Sequence, residues 1–343
     1  MTEEKERVSG GKPAPEEKKK ESGGSPAAEM KEGETNGSPV PEERAKQGGG
    51  RMLKKRLLCF LFVTFALTWI PTFLFLGLGG KYVSDQPETN LLCAFSMLCP
   101  AAAVLITRKL TGEGFAVTGR DSLLLGIRFA DRRWSWYLMA FGFPLLYQGI
   151  SGILWFLLAP ESFDPSMLER IGVSPLILLY VPINGAINAV AFSFGALGEE
   201  LGWRTYLYPK LEELFGLRKA LLLGGLIWSV WHFPLVAVGH IGTGYWGEPY
   251  TGFLLFTVDT VFMGCIAYLL VKKTGSVWPA VFLHAFHNAM GGGVMMFFLN
   301  EEKITGIFRD RAAQLAVTAV GTCVVGVFAC CLLRRAKTEV QDL

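Results

Sequence analysis

Two adjacent carboxylates, Glu199 and Glu200, close a long apolar run, and Arg204 follows them in the stretch GEELGWR. His232 stands in WSVWHFP, and His284 and Asn288 stand in HAFHN. A carboxylate held away from a cation can act as a general base, and imidazole and amide groups on one face can share a polar site with it. What these residues do depends on their solvent. In a bilayer an ionisable side chain is costly, and it marks a functional site by default.

Helical spacing separates the roles. Glu200 and Arg204 are four apart, so they share a face and can pair, and the cation keeps the carboxylate charged. Glu199 points about 100° away from Glu200, less able to use the arginine and freer to face a cavity. Desolvation there raises a carboxylate toward what a general base needs. His284 and Asn288 are also four apart and share a face, with His287 on its flank. Each residue has a plainer reading. Glu200 and Arg204 suit a structural pair, and His232 on a Trp-rich helix suits packing. Asn184 and Asn188 suit helix–helix contacts, and His240 sits in an outer loop. The set argues more strongly than its members, because polar groups inside one bundle need each other as partners.

The elements that position these residues must be membrane helices. Of 343 residues, 51% are hydrophobic and only 18% charged, with a mean hydropathy of +0.34. Residues 1–50 hold Lys, Glu, Gly, Pro and Ser with little that is apolar, and read as a disordered charged tail. The tail lacks the apolar core of a signal peptide. From residue 51 to 343 the chain reads as one helical domain. Its apolar runs, roughly 17–25 residues each, suit a bilayer crossing. They lie near Leu57–Leu78, Leu91–Ile106, Trp134–Ala159, Val173–Leu197, Ala220–Val238, Gly252–Val271, Val277–Leu299 and Ala312–Leu333. The fold class expected is all-α: a polytopic membrane bundle of about eight transmembrane helices.

Clusters of Lys and Arg in alternate loops put both termini in the cytoplasm, and the plasma membrane is the expected location. Those clusters form no single basic patch, so no nucleic-acid partner is expected. The seven cysteines lie in apolar segments without a CxxC, as small buried hydrophobes. A turn near Phe215–Gly216 leaves Glu199 and His232 at similar depth on the two arms that flank it.

EELGWR fits the pattern EExxxR, HAFHN contains HxxxN, and WSVWH lies between them. In this order they resemble the CPBP family of intramembrane proteases, which includes type 2 CAAX prenyl endopeptidases and bacteriocin-processing proteins. The form GEELGWRTYLYPKL is similar to its prokaryotic branch. The resemblance runs from about Val173 to Leu299. It departs at one place: the family's second motif is usually FxxxH, and here the aromatic is Trp228. The resemblance implies a glutamate-dependent endopeptidase acting on peptides or membrane-anchored, including prenylated, proteins from a cytoplasm-facing cavity. Glu199 is then the base, assisted by His232. His284 and Asn288 hold the oxyanion, and Glu200 and Arg204 support the site. No cofactor is predicted. One Glu and two His could bind zinc, although HExxH is absent and Asn suits an oxyanion better than a metal. The alternative is a non-catalytic immunity or scaffold protein that binds a peptide in the same cavity. A transporter is disfavoured, since no two similar halves with Gly/Pro-broken helices are evident.

Overall fold

The computed structural model describes residues 41–81, 86–115, 122–130, 133–158, 160, 177–238, 246–247, 250–290 and 311–341. The described residues form an all-helical membrane bundle. Its elements are α1 (Pro41–Gly77), α2 (Pro87–Thr111), α3 (Trp134–Leu158) and α4 (Ile177–Gly202), then a π-helical turn, Trp203–Leu207. After it come α5 (Tyr208–Phe215), α6 (Leu217–Trp231), α7 (Phe233–Ala237), α8 (Tyr250–Thr274), α9 (Trp278–Met290) and α10 (Arg311–Gln341). Every apolar run read from the sequence is mainly helical over its described part. Within α1, α2, α3, α8 and α10 lie five spans long and apolar enough to cross a bilayer. The chain is an integral membrane protein.

Two details differ from the sequence reading, and one run is described only in part. Residues 1–40 of the expected tail lie outside the described residues, but from Pro41 the chain is already helical as the start of α1. PEERAKQ explains this, with Pro at the first helical position and strong helix formers after it. The run Ala220–Val238 is two helices, because α6 stops at Trp231 and α7 begins at Phe233. Pro234 lacks the N–H that would donate to the carbonyl four residues earlier, and its ring crowds that carbonyl, so the helix breaks just upstream, at His232. Of the run Val277–Leu299, α9 is described as far as Met290.

In lipid, polar groups are best satisfied within the protein, and the hydroxyls of α1 show how. Thr64, Thr68 and Thr72 of α1 each donate to the carbonyl four residues earlier. The π turn lies at the centre of the core, where Trp203, Tyr206 and Leu207 are wholly buried, as is Phe60 of α1 against Trp203 and Tyr206. Close helix approach needs small residues. A Cβ on Gly202 would lie 2.3 Å from Pro100 of α2, and one on Gly225 would lie 2.5 Å from the Val261 Cα of α8. These glycines let α2 and α8 press against the segments that carry the site.

Away from the site, Glu113 takes hydrogen bonds from Lys210 and from the Tyr206 hydroxyl. Burial acts to raise the Glu113 carboxyl. The hydrogen bonds of Lys210 and Tyr206 and the charges of Lys210 and Arg56 outweigh it, and the group stays below its ordinary value. The turn expected near Phe215–Gly216 joins α5 to α6, with Gly216 at φ 77°. That left-handed conformation comes at little cost only to glycine.

Candidate active site

Glu199 and Glu200 occupy the last turn of α4, just before the π turn. π turns insert one residue into the helical register and recur at functional sites. Glu200 is wholly buried. Its Oε1 lies 3.1 Å from Arg204 and 2.8 Å from Nδ1 of His284 on α9. The pair expected from i, i+4 spacing is therefore present, and His284 makes it a triad. The Arg204 approach is an ion pair without hydrogen-bond alignment, and its guanidinium instead stacks 3.8 Å over the Trp228 ring.

A carboxylate oxygen accepts, so the His284 Nδ1 that meets Glu200 carries a proton. Its Nε2 is then a lone pair in the neutral ring and a donor in the imidazolium. His232, at the break between α6 and α7, has Nδ1 2.8 Å from the Trp228 carbonyl. A carbonyl also only accepts, so this Nδ1 bears a proton and a neutral His232 keeps Nε2 as an acceptor. The helix break thus fixes the place of His232, and the Trp228 carbonyl fixes its tautomer.

Glu199 is also buried, but differently. Its Oε2 accepts two indole N–H groups, from Trp203 at 3.2 Å and from Trp228 at 2.8 Å. Trp203 is one helical turn on from Glu199, and Trp228 comes from α6. Trp228 therefore does more than form a wall. It donates to Glu199, stacks on Arg204 and meets the His284 ring edge-on at 5.5 Å.

One cavity, with about 70 Å³ open to the centres of water molecules, joins these parts. That is room for several waters. Its lining includes Glu200, Arg204, Trp228, His232, His284 and Asn288. Of the residues read from the sequence, His232, His284 and Asn288 meet there as expected, together with the supporting Glu200 and Arg204. Glu199 does not line the cavity and sits behind Trp228, which does. His287 lines the cavity as well, and its Nδ1 is hydrogen-bonded to the Tyr147 hydroxyl of α3. Asn188 turns its amide back onto the Asn184 carbonyl of its own helix. His240 lies outside the described residues. No group of three His, Cys, Asp or Glu among the described residues is close enough to share a metal ion.

The sequence reading passed over Asp259. It lies on α8 and lines the cavity with Phe256 and Thr260 of the same face. Its signal was plain: it is the one acidic residue in the 25-residue span Tyr250–Thr274.

Residues 174–290 match the family model described as type II CAAX prenyl endopeptidase Rce1-like. The chain is similar to CAAX prenyl protease 2 of Methanococcus maripaludis, with 32% identity over 134 residues. That alignment covers 33% of this chain and 48% of the relative, so the chain spans about half the length of the curated relative it matches. Every cavity-lining group named above falls inside the matched segment. Over residues 174–290 this membrane bundle is thus similar to the family described as type II CAAX prenyl endopeptidase Rce1-like.

Proposed function

We propose that this protein is an intramembrane endopeptidase that hydrolyses peptide bonds in peptides or membrane-anchored, including prenylated, proteins. The observation that carries the reading is one cavity in a membrane bundle lined by a Glu–His–Arg triad, a second histidine and an asparagine. The family match and the relative's name support the same class.

In the proposed reaction Glu199 takes a proton from water while the water oxygen adds to the scissile carbonyl carbon. Both indole N–H groups fall on its Oε2, which leaves Oε1 for the water. The reaction requires the Trp228 ring to turn aside so that Glu199 reaches the cavity. His232, with Nδ1 committed to the Trp228 carbonyl, offers Nε2 as a second acceptor to orient the water. The carbonyl oxygen becomes an oxyanion held by the Asn288 amide and by Nε2–H of a protonated His284. The C–N bond then breaks, and the proton held by Glu199 passes to the leaving nitrogen. The new carboxylic acid gives its remaining proton to that amine, so the products are a carboxylate and an ammonium. No metal is assigned a role.

One observation favours a second assignment within the same reaction: Glu200, not Glu199, lines the cavity. The test is cleavage of farnesylated and unmodified C-terminal peptides by the detergent-purified protein, followed by mass spectrometry. Glu199→Gln removes cleavage and leaves a folded protein if Glu199 is the base. A fully active Glu199→Gln beside a folded but inactive Glu200→Gln would move the base to Glu200. Cleavage undiminished in both would overturn the reading in favour of a non-catalytic binding protein. The same proposal places the protein in the plasma membrane with both termini in the cytoplasm, from its loop charges.

A further inference from the structure

Asp259 has no part in the reaction above, yet it stands in the same cavity. It lies halfway along α8, in a span whose other charges, Lys272 and Lys273, sit at the last turn. No hydrogen bond or ion pair joins it to another described residue. The hydroxyl beside it, on Thr260, is spent on the Phe256 carbonyl at 2.6 Å. A carboxylate at such depth is costly and calls for a partner.

The charges in the lining show what that partner must be. Glu200 is matched by Arg204 and His284. Asp259 is then the carboxylate of the lining that no resident cation matches. A divalent metal does not answer, because the described residues around it offer no set of three close His, Cys, Asp or Glu ligands. An organic cation does. Phe256, one turn earlier on the same face, also lines the cavity, and a carboxylate beside an aromatic ring is a setting that suits an ammonium. Peptide hydrolysis makes such a group in this place: the leaving nitrogen takes up a proton and becomes the new amino terminus of the released peptide.

We propose that Asp259, with Phe256 beside it, is the subsite that binds the α-ammonium of the released C-terminal fragment. This rests on the endopeptidase reading for the source of the ammonium, but the subsite can be measured without turnover. The probe is a tripeptide of two aliphatic residues followed by methionine, with a free or an acetylated amino terminus. Binding to the full chain in detergent is read by thermal shift and by tryptophan fluorescence, since Trp228 lines the cavity. Wild type should bind the free-amine form about tenfold more tightly, as the loss of a charge-assisted contact implies. Asp259→Asn should erase that preference, and Asp259→Glu should restore part of it. Equal binding of the two forms by wild type overturns the proposal, as does failure to bind either, and neither result depends on any variant folding. A preference that persists in Asp259→Asn also overturns it. If peptide cleavage proves absent while the amine preference holds, the protease reading fails and the cation subsite stands. If cleavage holds and the preference is absent, the subsite alone fails.

Discussion

Trp228 lines the cavity and reaches away from it to donate a 2.8 Å hydrogen bond to Glu199, which does not line it. A single side chain therefore couples the first glutamate of the EExxxR motif to the space where a substrate fits. The same indole lies under the Arg204 guanidinium and edge-on to His284.

Replacing Trp228 by Phe keeps an aromatic wall and removes one donor to Glu199. A hydrogen bond to a charged group is worth ~1.5–3 kcal/mol, so turnover should fall about 10- to 100-fold if the carboxylate must be held for catalysis. The fall should appear in kcat more than in KM. An unchanged kcat would show that the bond is only structural.

Glu200→Ala and Arg204→Ala should each unfold the site as well as silence it. Both side chains are wholly buried, and breaking such a pair leaves an uncompensated charge, at ~3–5 kcal/mol. Melting in detergent should shift down clearly for both, and much less for Glu199→Gln. Melting curves that coincide with wild type would contradict the buried pair.

Gly202→Ala tests the helix approach behind the site. The added methyl would lie 2.3 Å from Pro100, and overpacking of this kind costs ~1–3 kcal/mol. The expected readout is a lowered melting temperature with any remaining activity reduced, because α2 can move away only by shifting α4, which carries both glutamates.

Glu113 predicts a pH dependence. Its folded carboxyl is held below its ordinary value of 4.5 by Lys210 and Tyr206. Such a group contributes stability that is present above the unfolded value and is lost as pH falls through the folded one. Stability should therefore drop below about pH 4.5 in wild type, and Glu113→Gln should be less stable at neutral pH with a shallower acid loss. Parallel acid curves for the two proteins would assign the loss to other groups.

How much of this was legible beforehand follows from the range of each interaction. The sequence by itself determined the all-helical membrane architecture, because lipid admits only segments that satisfy their own backbone, and apolar run length records this directly. It also determined the contacts of i, i+4 spacing. Glu200 meets Arg204 as the helical period requires, and His284 and Asn288 face one cavity. The turn at Gly216 was equally local. What only the tertiary structure decided are contacts between distant segments. His284 crosses from α9 to hold Glu200. Trp228 comes from α6 to hold Glu199, and so places Glu199 behind the cavity wall and not on it. Helical phase gives the angle between the two glutamates, but not which of them faces the space left by neighbouring helices. That depends on how closely α2, α6, α8 and α9 pack, and glycines and aromatic side chains far apart in the chain set that spacing. Asp259 belongs to both kinds: its charge in an apolar span was visible in the sequence, and its place beside His284 and Asn288 exists only because α8 and α9 close one cavity together.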